Sequence, residues 1–256
     1  TYDWNGKRVG FCCDGCKGRV AANPEEYTSM LDFLQGKHDY LKPWVAESRG
    51  QFGFTLEQPL AACWVENVPG QEEWSASGEL VHRLFRLLVL RDFGRQPYWL
   101  QVAMGNWAEL QLNDGAYCFP YRDEWVGVGE HSGWETELKS GFKKRKWHKD
   151  PLQLDEFASW RRGAWSTPMA HMSWGAFEYL TRFEPESLPA VLEEFRLARE
   201  KLERADYPDG TWERDPNFEL STQLQVDILQ AEVHEGIIEE FHEFFAKAKG
   251  YKRPKR

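Results

Sequence analysis

The sequence predicts an α+β fold in which a small N-terminal ββα unit precedes a mainly helical domain that ends in a long helix. Three observations lead to this prediction. Asn5-Gly6 separates two short strand-like runs, and a helix-start pattern follows at Asn23. Apolar residues recur at intervals of three and four over residues 79–93, which is helical spacing. The same spacing returns over residues 222–248 and predicts one long C-terminal helix.

The charge balance limits the classes of partner. The chain has 32 Lys and Arg residues against 41 Asp and Glu residues, and its formal net charge is -9. A nucleic-acid partner needs a basic surface, and only the tail 251–256 is locally basic. No apolar run approaches the length of a membrane span, so we expect a protein without one. Thirteen Trp residues indicate aromatic core packing, with some exposed Trp as partner anchors.

The N-terminal unit is predicted from turn and capping signals. Asn-Gly supplies the two positive φ angles of a type I′ hairpin turn, here between residues 2–4 and 7–11. Asn23 is then placed to cap a helix, with Pro24 at its first position and Glu26 three residues after the cap.

Three cysteines, Cys12, Cys13 and Cys16, lie between the hairpin and this helix. The spacing of Cys12 and Cys16, with Gly15 to allow a tight turn, suits two ligands of a thiolate metal site. Two ligands are half of a tetrahedral site, so Cys13, Cys63, Cys118 or a histidine would have to complete it. A Cys13/Cys16 redox pair, a structural disulfide and thioether attachment of a haem are the alternatives.

The rest of the chain is predicted to be mostly helical. Residues 60–65 form a candidate buried strand. In the helix at 79–93, residues 80, 81, 84, 85, 88 and 89 form the predicted buried face, and Gly94 ends the helix. Residues 113–150 are predicted to be irregular or a β-hairpin. The other predicted helices span 98–112, 154–157, 172–183, 188–205 and 222–248.

Four further polar residues are candidate metal ligands. Glu235, Glu239 and His242 recur at intervals of four and three, but a solvent-facing charged stripe is the more usual meaning of that pattern. His171 lies between two methionines, Met169 and Met172, and is predicted to be packed rather than ligating.

The run GKRVGFCCDGCKGRVAANPEEY resembles the C-terminal half of a YHS domain, a small treble-clef-like module of the TRASH group. The resemblance implies that Cys12 and Cys16 are metal ligands for zinc, copper or another thiophilic metal. It also implies a further cysteine before Thr1. The sequence given therefore carries an incomplete site, which is either completed upstream or vestigial.

A second resemblance covers the helical part. Gly78-Glu79-Leu80-Val81-His82, followed by the run WLQVAMGNW at 99–107, resembles the two helices of peptidase-MA-like (gluzincin) domains, which carry H-E-x-x-H and then a third-ligand Glu. The resemblance places Gly78 at the first His position and Val102 at the third ligand. Only Glu79 and His82 remain of the catalytic motif. An ordinary Glu79–Arg83 pair one helical turn apart is the simpler interpretation of Glu79.

These patterns together predict a non-catalytic protein. We expect an inactive pseudopeptidase that serves as an interaction or structural subunit, alone as a homo-oligomer or with other proteins. A metal-binding YHS-type protein and an active zinc metallopeptidase are the alternatives. With both sites incomplete, the sequence predicts less than one equivalent of tightly held zinc.

The predicted organisation has four parts: a YHS-like unit at 1–36, a connector at 37–60, a degenerate peptidase-like domain at 61–205 and a C-terminal extension at 206–256. The second resemblance implies a soluble, exported or periplasmic bacterial protein. Disulfides among the five cysteines, with one thiol left over, would be compatible with that compartment.

Overall fold

The computed structural model describes residues 2–4, 7–9, 18, 21–22, 53–56, 60–64, 75–118, 131–145, 147, 167–202, 204–206, 212–214 and 220–253. The chain divides into two compact units, Thr1–Gly50 and Gln51–Arg256. The predicted helix capped by Asn23, the cysteines Cys12, Cys13 and Cys16, and the predicted helix 154–157 lie outside the described residues.

In the first unit, the predicted hairpin is confirmed. Strand β1 (Tyr2–Trp4) pairs antiparallel with β2 (Lys7–Val9), and Trp4 lies opposite Lys7. That register leaves Asn5-Gly6 as the two connecting residues, in agreement with the turn signal.

The second unit opens with another hairpin. Strand β3 (Gly53–Leu56) pairs antiparallel with β4 (Ala61–Trp64), so a strand within 60–65 is confirmed and has its partner in the stretch predicted to be a connector. The predicted burial is not confirmed, because Leu60 is exposed and Ala62 and Trp64 are only partly buried. Both strands contact the helix that follows.

The two predicted helices are confirmed as α1 (Ala76–Phe93) and α2 (Tyr98–Leu112), and they form an antiparallel pair. The Ser75 side chain caps α1 by accepting a hydrogen bond from the Gly78 N–H at 3.0 Å. Gly94 ends α1 with a φ of 63°, a left-handed value that glycine adopts at little steric cost. Pro97 then precedes α2, so the short connection returns the chain beside α1.

The predicted buried face of α1 is wrong in half of its positions. Leu80, Leu84 and Leu88 are exposed, whereas Val81, Phe85 and Val89 are partly buried. The buried side chains of α1 are polar instead: Glu79, His82, Arg83 and Arg86. His82 and Arg86 form hydrogen bonds with residues of α2. Charged groups are rarely buried without partners, so we expect polar partners for these side chains on the neighbouring segments.

The interval 113–150 contains a helix that was predicted to be absent. Helix α3 (Trp134–Ser140) begins after Gly133 and continues as one π-helical turn, Gly141–Arg145. Trp134, Leu138 and Phe142 are all buried. Their spacing of four is a helical signal that the glycines and aromatic residues around them obscured.

The remaining helices build the aromatic core. Helix α4 (Thr167–Phe183) contains the predicted helix and begins five residues earlier. Helix α5 (Leu188–Glu200) is shorter than predicted, because the chain turns at Lys201 into a third hairpin, β5 (Arg204–Asp206) with β6 (Trp212–Arg214). Pro208 and Gly210 between these strands are turn formers that cannot extend a helix well.

The predicted long C-terminal helix is wrong: it is two helices, α6 (Thr222–Glu232) and α7 (Ile237–Lys247). The chain turns at 233–236, and Gly236 precedes α7. The interruption lets α7 pack against α3 and α4. Its apolar face, Ile237, Phe241, Phe244 and Phe245, is buried there.

The described part of the protein is therefore mainly helical, with seven α-helices and three two-stranded antiparallel hairpins. Helix α2 lies at its centre, between α1 and α4. Trp99 of α2 donates a hydrogen bond from Nε1 to Gln225 of α6 at 2.9 Å, and Trp107 donates to Glu178 of α4 at 2.8 Å. Of the Trp side chains that the structure describes, none is exposed, so the expected Trp anchors are not found among them.

Candidate functional site: a buried His-Glu-Cys centre

The polar face of α1 meets α2 at His82. The His82 Nδ1 atom lies 2.7 Å from Oε1 of Glu109, and both residues are buried. Gly105 lies beneath the ring, where an added Cβ would be only 2.3 Å from His82 Cε1. Glycine inside a helix is unfavourable by about 1 kcal/mol relative to alanine. Its presence here is explained by the space that the imidazole needs.

The segment after α2 completes the surroundings of Glu109. A turn at residues 113–115, with Asp114 at a φ of 56°, brings the backbone back toward α2. The N–H groups of Tyr117 and Cys118 donate to Glu109 Oε2 at 2.5 and 3.0 Å. These two bonds fix the orientation of the carboxyl group.

Burial sets the protonation of the His82–Glu109 pair. It raises the pKa of Glu109 to about 8, although the two backbone N–H groups oppose the shift. Burial, followed by the nearby positive charges of Arg86 and Arg83, holds the pKa of His82 well below its usual value. The 2.7 Å contact at neutral pH is therefore a hydrogen bond between neutral groups, and not an ion pair.

Cys118 is the third member of the centre. It is a buried free thiol, and burial raises its pKa to about 12. One ligand atom each from His82, Glu109 and Cys118 lie within 4.8 Å of one another. Among the described residues this is the one group of three or more such side chains that could hold a metal ion.

The donor set is chemically suitable for a transition metal. Imidazole nitrogen, carboxylate oxygen and thiolate sulfur are the three ligand types that bind Zn²⁺ in proteins, at about 2.0–2.3 Å. Three ligand atoms on such bonds lie about 3–4 Å apart, so the centre fits an ion after a small opening of the His82–Glu109 contact. The backbone donors to Glu109 supply the outer-shell support that metal ligands usually have.

Two arginines border the centre. Arg83 Nε donates to Glu79 Oε2 at 3.3 Å, which confirms the pairing one turn apart. Arg86 donates from Nη2 to Gln101 Oε1 at 2.8 Å. Burial and the charge of Arg83 lower the pKa of Arg86 to about 10, which leaves it positive at neutral pH.

The structure brings some of the predicted site residues together and separates others. His82 contacts Glu109 of α2, whereas the buried Glu79 pairs with Arg83 of its own helix. Val102 is buried in the apolar core, and the carboxylate opposite His82 is Glu109, two turns further along α2. A Cβ at Gly78 would lie 3.0 Å from Glu109 Oε2, so position 78 also faces the centre. The predicted ligands Cys12 and Cys16 are outside the described residues.

The other candidate ligands, His171, Glu235, Glu239 and His242, are not part of this centre. His171 is packed between Trp134 and Trp147, at ring-centroid distances of 4.6 and 5.6 Å, which confirms the packing interpretation. Glu235 and Glu239 are exposed, as predicted for a charged stripe. His242 is partly buried against Phe142 and Phe245.

Sequence reasoning missed Glu109, and it considered Cys118 only as a ligand that could complete the N-terminal cysteine site. Glu109 is seven residues from Val102, and seven residues are about two helical turns, so both lie on nearly the same face of α2. The prediction therefore had the correct face of α2 but the wrong residue. Cys118 carried no local signal. The Asn113-Asp114-Gly115 turn was the available indication that the chain doubles back onto α2 at this point.

No family model matches the sequence, and neither the curated proteins nor the solved structures include a significant match. The resemblances to YHS and peptidase-MA-like domains therefore stay predictions. None of the helices in the described part of the chain is both long and apolar enough to cross a membrane.

Proposed function

We propose that this chain is a non-catalytic metal-binding protein in which His82, Glu109 and Cys118 hold a divalent transition-metal ion of the Zn²⁺ type. The observation that carries the proposal is the convergence of three different ligand atoms, from α1, α2 and the segment after α2, within 4.8 Å of one another. Such an ion would join these three segments and stabilise the folded state, because the unfolded chain cannot present the same set.

Two features favour a structural over a catalytic role. Catalytic zinc sites keep an open position for water or substrate, whereas all three residues here are buried. Glu79, which stands at the general-base position in the peptidase-like comparison, is held by Arg83. A general base needs to reach a reacting water, and a carboxylate held in an ion pair is poorly suited to that task.

The proposal retains the degenerate peptidase-like domain as the hypothesis for the fold. His82 on the first helix and a carboxylate on the second agree with that pattern, and Gly78 replaces the first histidine. The thiol of Cys118 has no counterpart in that pattern. The proposal also revises the expectation of less than one equivalent of zinc, because that expectation counted only His82 among these three residues.

Metal content of purified protein tests the proposal. After dialysis, we expect one equivalent of bound zinc by elemental analysis, and a thiolate charge-transfer band when Co²⁺ replaces it. Cys118→Ser should abolish the band, whereas the double variant Cys12→Ser/Cys16→Ser should retain it. A band that disappears only in the double variant would assign the metal to the N-terminal cysteines and refute the site proposed here.

A second function, self-association, is favoured by the exposed leucines of α1. Leu80, Leu84 and Leu88, spaced by four, form a stripe along one helix face and are 44%, 48% and 42% exposed. Apolar stripes at this spacing commonly pair with another helix. We propose a second copy of this chain as the partner, because two identical stripes complement each other when the helices are antiparallel.

Light scattering coupled to size-exclusion chromatography tests self-association. The wild-type chain should have the mass of a dimer, and Leu84→Gln/Leu88→Gln should have the mass of a monomer. Leu112→Gln is the matched control, since Leu112 is 72% exposed but lies outside the stripe. A wild-type monomer at micromolar concentration, or a dimer unaffected by the double variant, would exclude this interface.

A further inference from the structure

Two runs of the sequence carry a large share of its positive charge. Residues 139–149 and 247–256 together contain twelve of the 32 Lys and Arg residues and none of the 41 Asp and Glu residues. The basic tail 251–256 is part of the second run. The formal net charge of -9 is therefore the sum of a strongly basic part and a strongly acidic remainder.

The fold brings the described parts of these two runs together. The first run begins in α3 and continues through the π-helical turn Gly141–Arg145, and the second covers the end of α7 and the turn Ala248–Gly250. Helix α3 contacts the turn Ala248–Gly250, and α7 contacts the π-helical turn. Phe142 packs on Phe245, with ring centroids 5.3 Å apart. The two runs therefore lie side by side, although they are far apart in sequence.

We call the Lys and Arg side chains that the structure describes in these runs the basic face. Its members are Lys139, Lys143, Lys144, Lys247, Lys249, Lys252 and Arg253. Lys139 is partly buried, and the other six are exposed. Lys249 Nζ lies 3.5 Å from Glu135 Oε2 on α3, and Lys139 is one helical turn beyond Glu135. The basic face thus extends from the end of α7 onto α3.

Carboxylates neutralise only part of the basic face. Among the described residues, ion pairs with glutamates are formed by three of its members, Lys247, Lys249 and Arg253. The other four members, all lysines, have no ion pair in that part of the chain. Ion pairs between exposed groups are weak, so the paired lysines can also interact with an anionic partner. The basic face therefore keeps a positive potential.

The composition of the two runs favours a membrane surface over a nucleic acid as the partner. Proteins that bind single strands stack the bases on accessible aromatic rings, but Phe142, Trp147 and Tyr251 are buried. Nine of the twelve basic residues are lysines. Lysine presents a point charge, whereas the planar fork of arginine is the group preferred in nucleic-acid recognition. A lysine-rich surface of this kind suits a partner that presents many anionic groups without a fixed geometry.

We propose that the basic face binds the surface of a membrane that contains anionic lipids. Each Lys or Arg held close to such a surface strengthens binding by about fivefold. The acidic remainder of the chain is repelled by the same lipids, so the protein binds with α3 and the end of α7 toward the headgroups. The aromatic rings beneath the basic face are buried, so the attraction is electrostatic and decreases with added salt.

This inference is independent of the metal centre and of self-association. No member of the basic face belongs to the three metal-binding residues or to the leucine stripe of α1. Each of the three proposals can therefore fail without affecting the others.

Co-sedimentation of the full chain with lipid vesicles tests the proposal. At low ionic strength we expect saturable binding to vesicles of phosphatidylcholine mixed with phosphatidylserine, and no binding to vesicles of phosphatidylcholine alone. High salt should release the bound protein. Equal binding to both kinds of vesicle, or binding to neither, would overturn the proposal. Titration with single-stranded and duplex oligonucleotides at the same ionic strength tests the other polyanion, and tighter binding to either than to the anionic vesicles would assign the basic face to nucleic acid instead.

Paired variants locate the binding surface. Lys143→Gln/Lys144→Gln should weaken binding to the anionic vesicles by about 25-fold, because two exposed positive charges are lost. Its melting temperature should stay that of the wild type, since neither lysine has an ion pair with a described residue. Arg91→Gln/Lys201→Gln is the matched control, because it removes two exposed positive charges outside the two runs. Equal weakening by both pairs would show that net charge, and not the basic face, governs binding and would refute the site.

Discussion

The imidazole of His82 occupies the space that a side chain at Gly105 would need, with its Cε1 2.3 Å from the position of an added Cβ. The two residues belong to different helices, so their contact fixes how closely α1 and α2 approach. Close approach of this kind is what brings Glu109 within hydrogen-bond distance of His82.

The first prediction is that Gly105→Ala destabilises the protein. Glycine to alanine within a helix is ordinarily stabilising, but here the methyl group would displace His82, and overpacking of a core costs about 1–3 kcal/mol. Urea unfolding should show a loss in this range, together with weaker metal binding. Gly250→Ala is the control, because a Cβ there meets nothing within 4 Å. An unchanged or increased stability of Gly105→Ala would mean that His82 does not occupy this position.

The second prediction concerns the pH dependence of stability through Glu109. Its pKa is raised from 4.5 to about 8 in the folded protein, so the folded state binds the proton more tightly than the unfolded state does. The resulting contribution to stability is full below pH 4.5 and is lost as the pH rises to about 8. Glu109→Gln, which resembles the protonated form and does not titrate, removes this loss.

Metal-free wild-type protein and Glu109→Gln should therefore have similar unfolding free energies near pH 5, and the variant should become progressively more stable than wild type toward pH 8. Chemical denaturation at several pH values, in the presence of a chelator, measures the difference. A difference that is constant with pH would show that Glu109 is ionised in the folded protein throughout this range.

The third prediction is that metal affinity rises steeply with pH. The ligand forms are the Glu109 carboxylate and the Cys118 thiolate, but burial keeps both groups protonated at neutral pH. Below pH 8 each bound ion displaces about two protons, so the apparent association constant should increase by as much as about a hundredfold per pH unit. Competition with a chromophoric chelator at pH 6.0, 6.5 and 7.0 measures the slope. A slope near zero would exclude protonated ligands as the starting state.

The fourth prediction compares two leucines on neighbouring helices. Leu100 is fully buried, whereas Leu84 is 48% exposed. Leu100→Ala should cost about 2–5 kcal/mol of stability, and Leu84→Ala in the monomer should change it by less than about 0.5 kcal/mol. Unfolding is best measured at dilutions where the chain is monomeric. Similar large losses of stability in both variants would show that the leucine face of α1 belongs to the core.

The sequence predicted the positions of α1 and α2 because their apolar periodicity, the Gly94 stop and Pro97 are local signals. The prediction of which face of α1 is buried was wrong. The prediction from periodicity takes the leucine face of a helix as the buried face. On α1 the polar face is buried instead, where His82 contacts Glu109 and Arg86 contacts Gln101. Places where a strong local rule fails are often functional, because the fold tolerates the unfavourable burial for another purpose.

The two missed features have the same origin. Glu109 and Cys118 are recognisable as site residues only when α2 and the following turn are placed against α1. Spacing within one helix does not predict a contact between different segments. The division of the C-terminal helix was similarly invisible to periodicity, since α6 and α7 each keep helical spacing on both sides of residues 233–236.

All three residues of the proposed metal centre come from one continuous stretch, residues 82–118, which forms a helix, a short connection, a second helix and a turn. Bringing together residues this close in sequence costs little loop-closure entropy. The centre can therefore form early, while the rest of the chain is still unstructured. A metal ion captured at that moment would order α2, the helix against which α1 and α4 both pack.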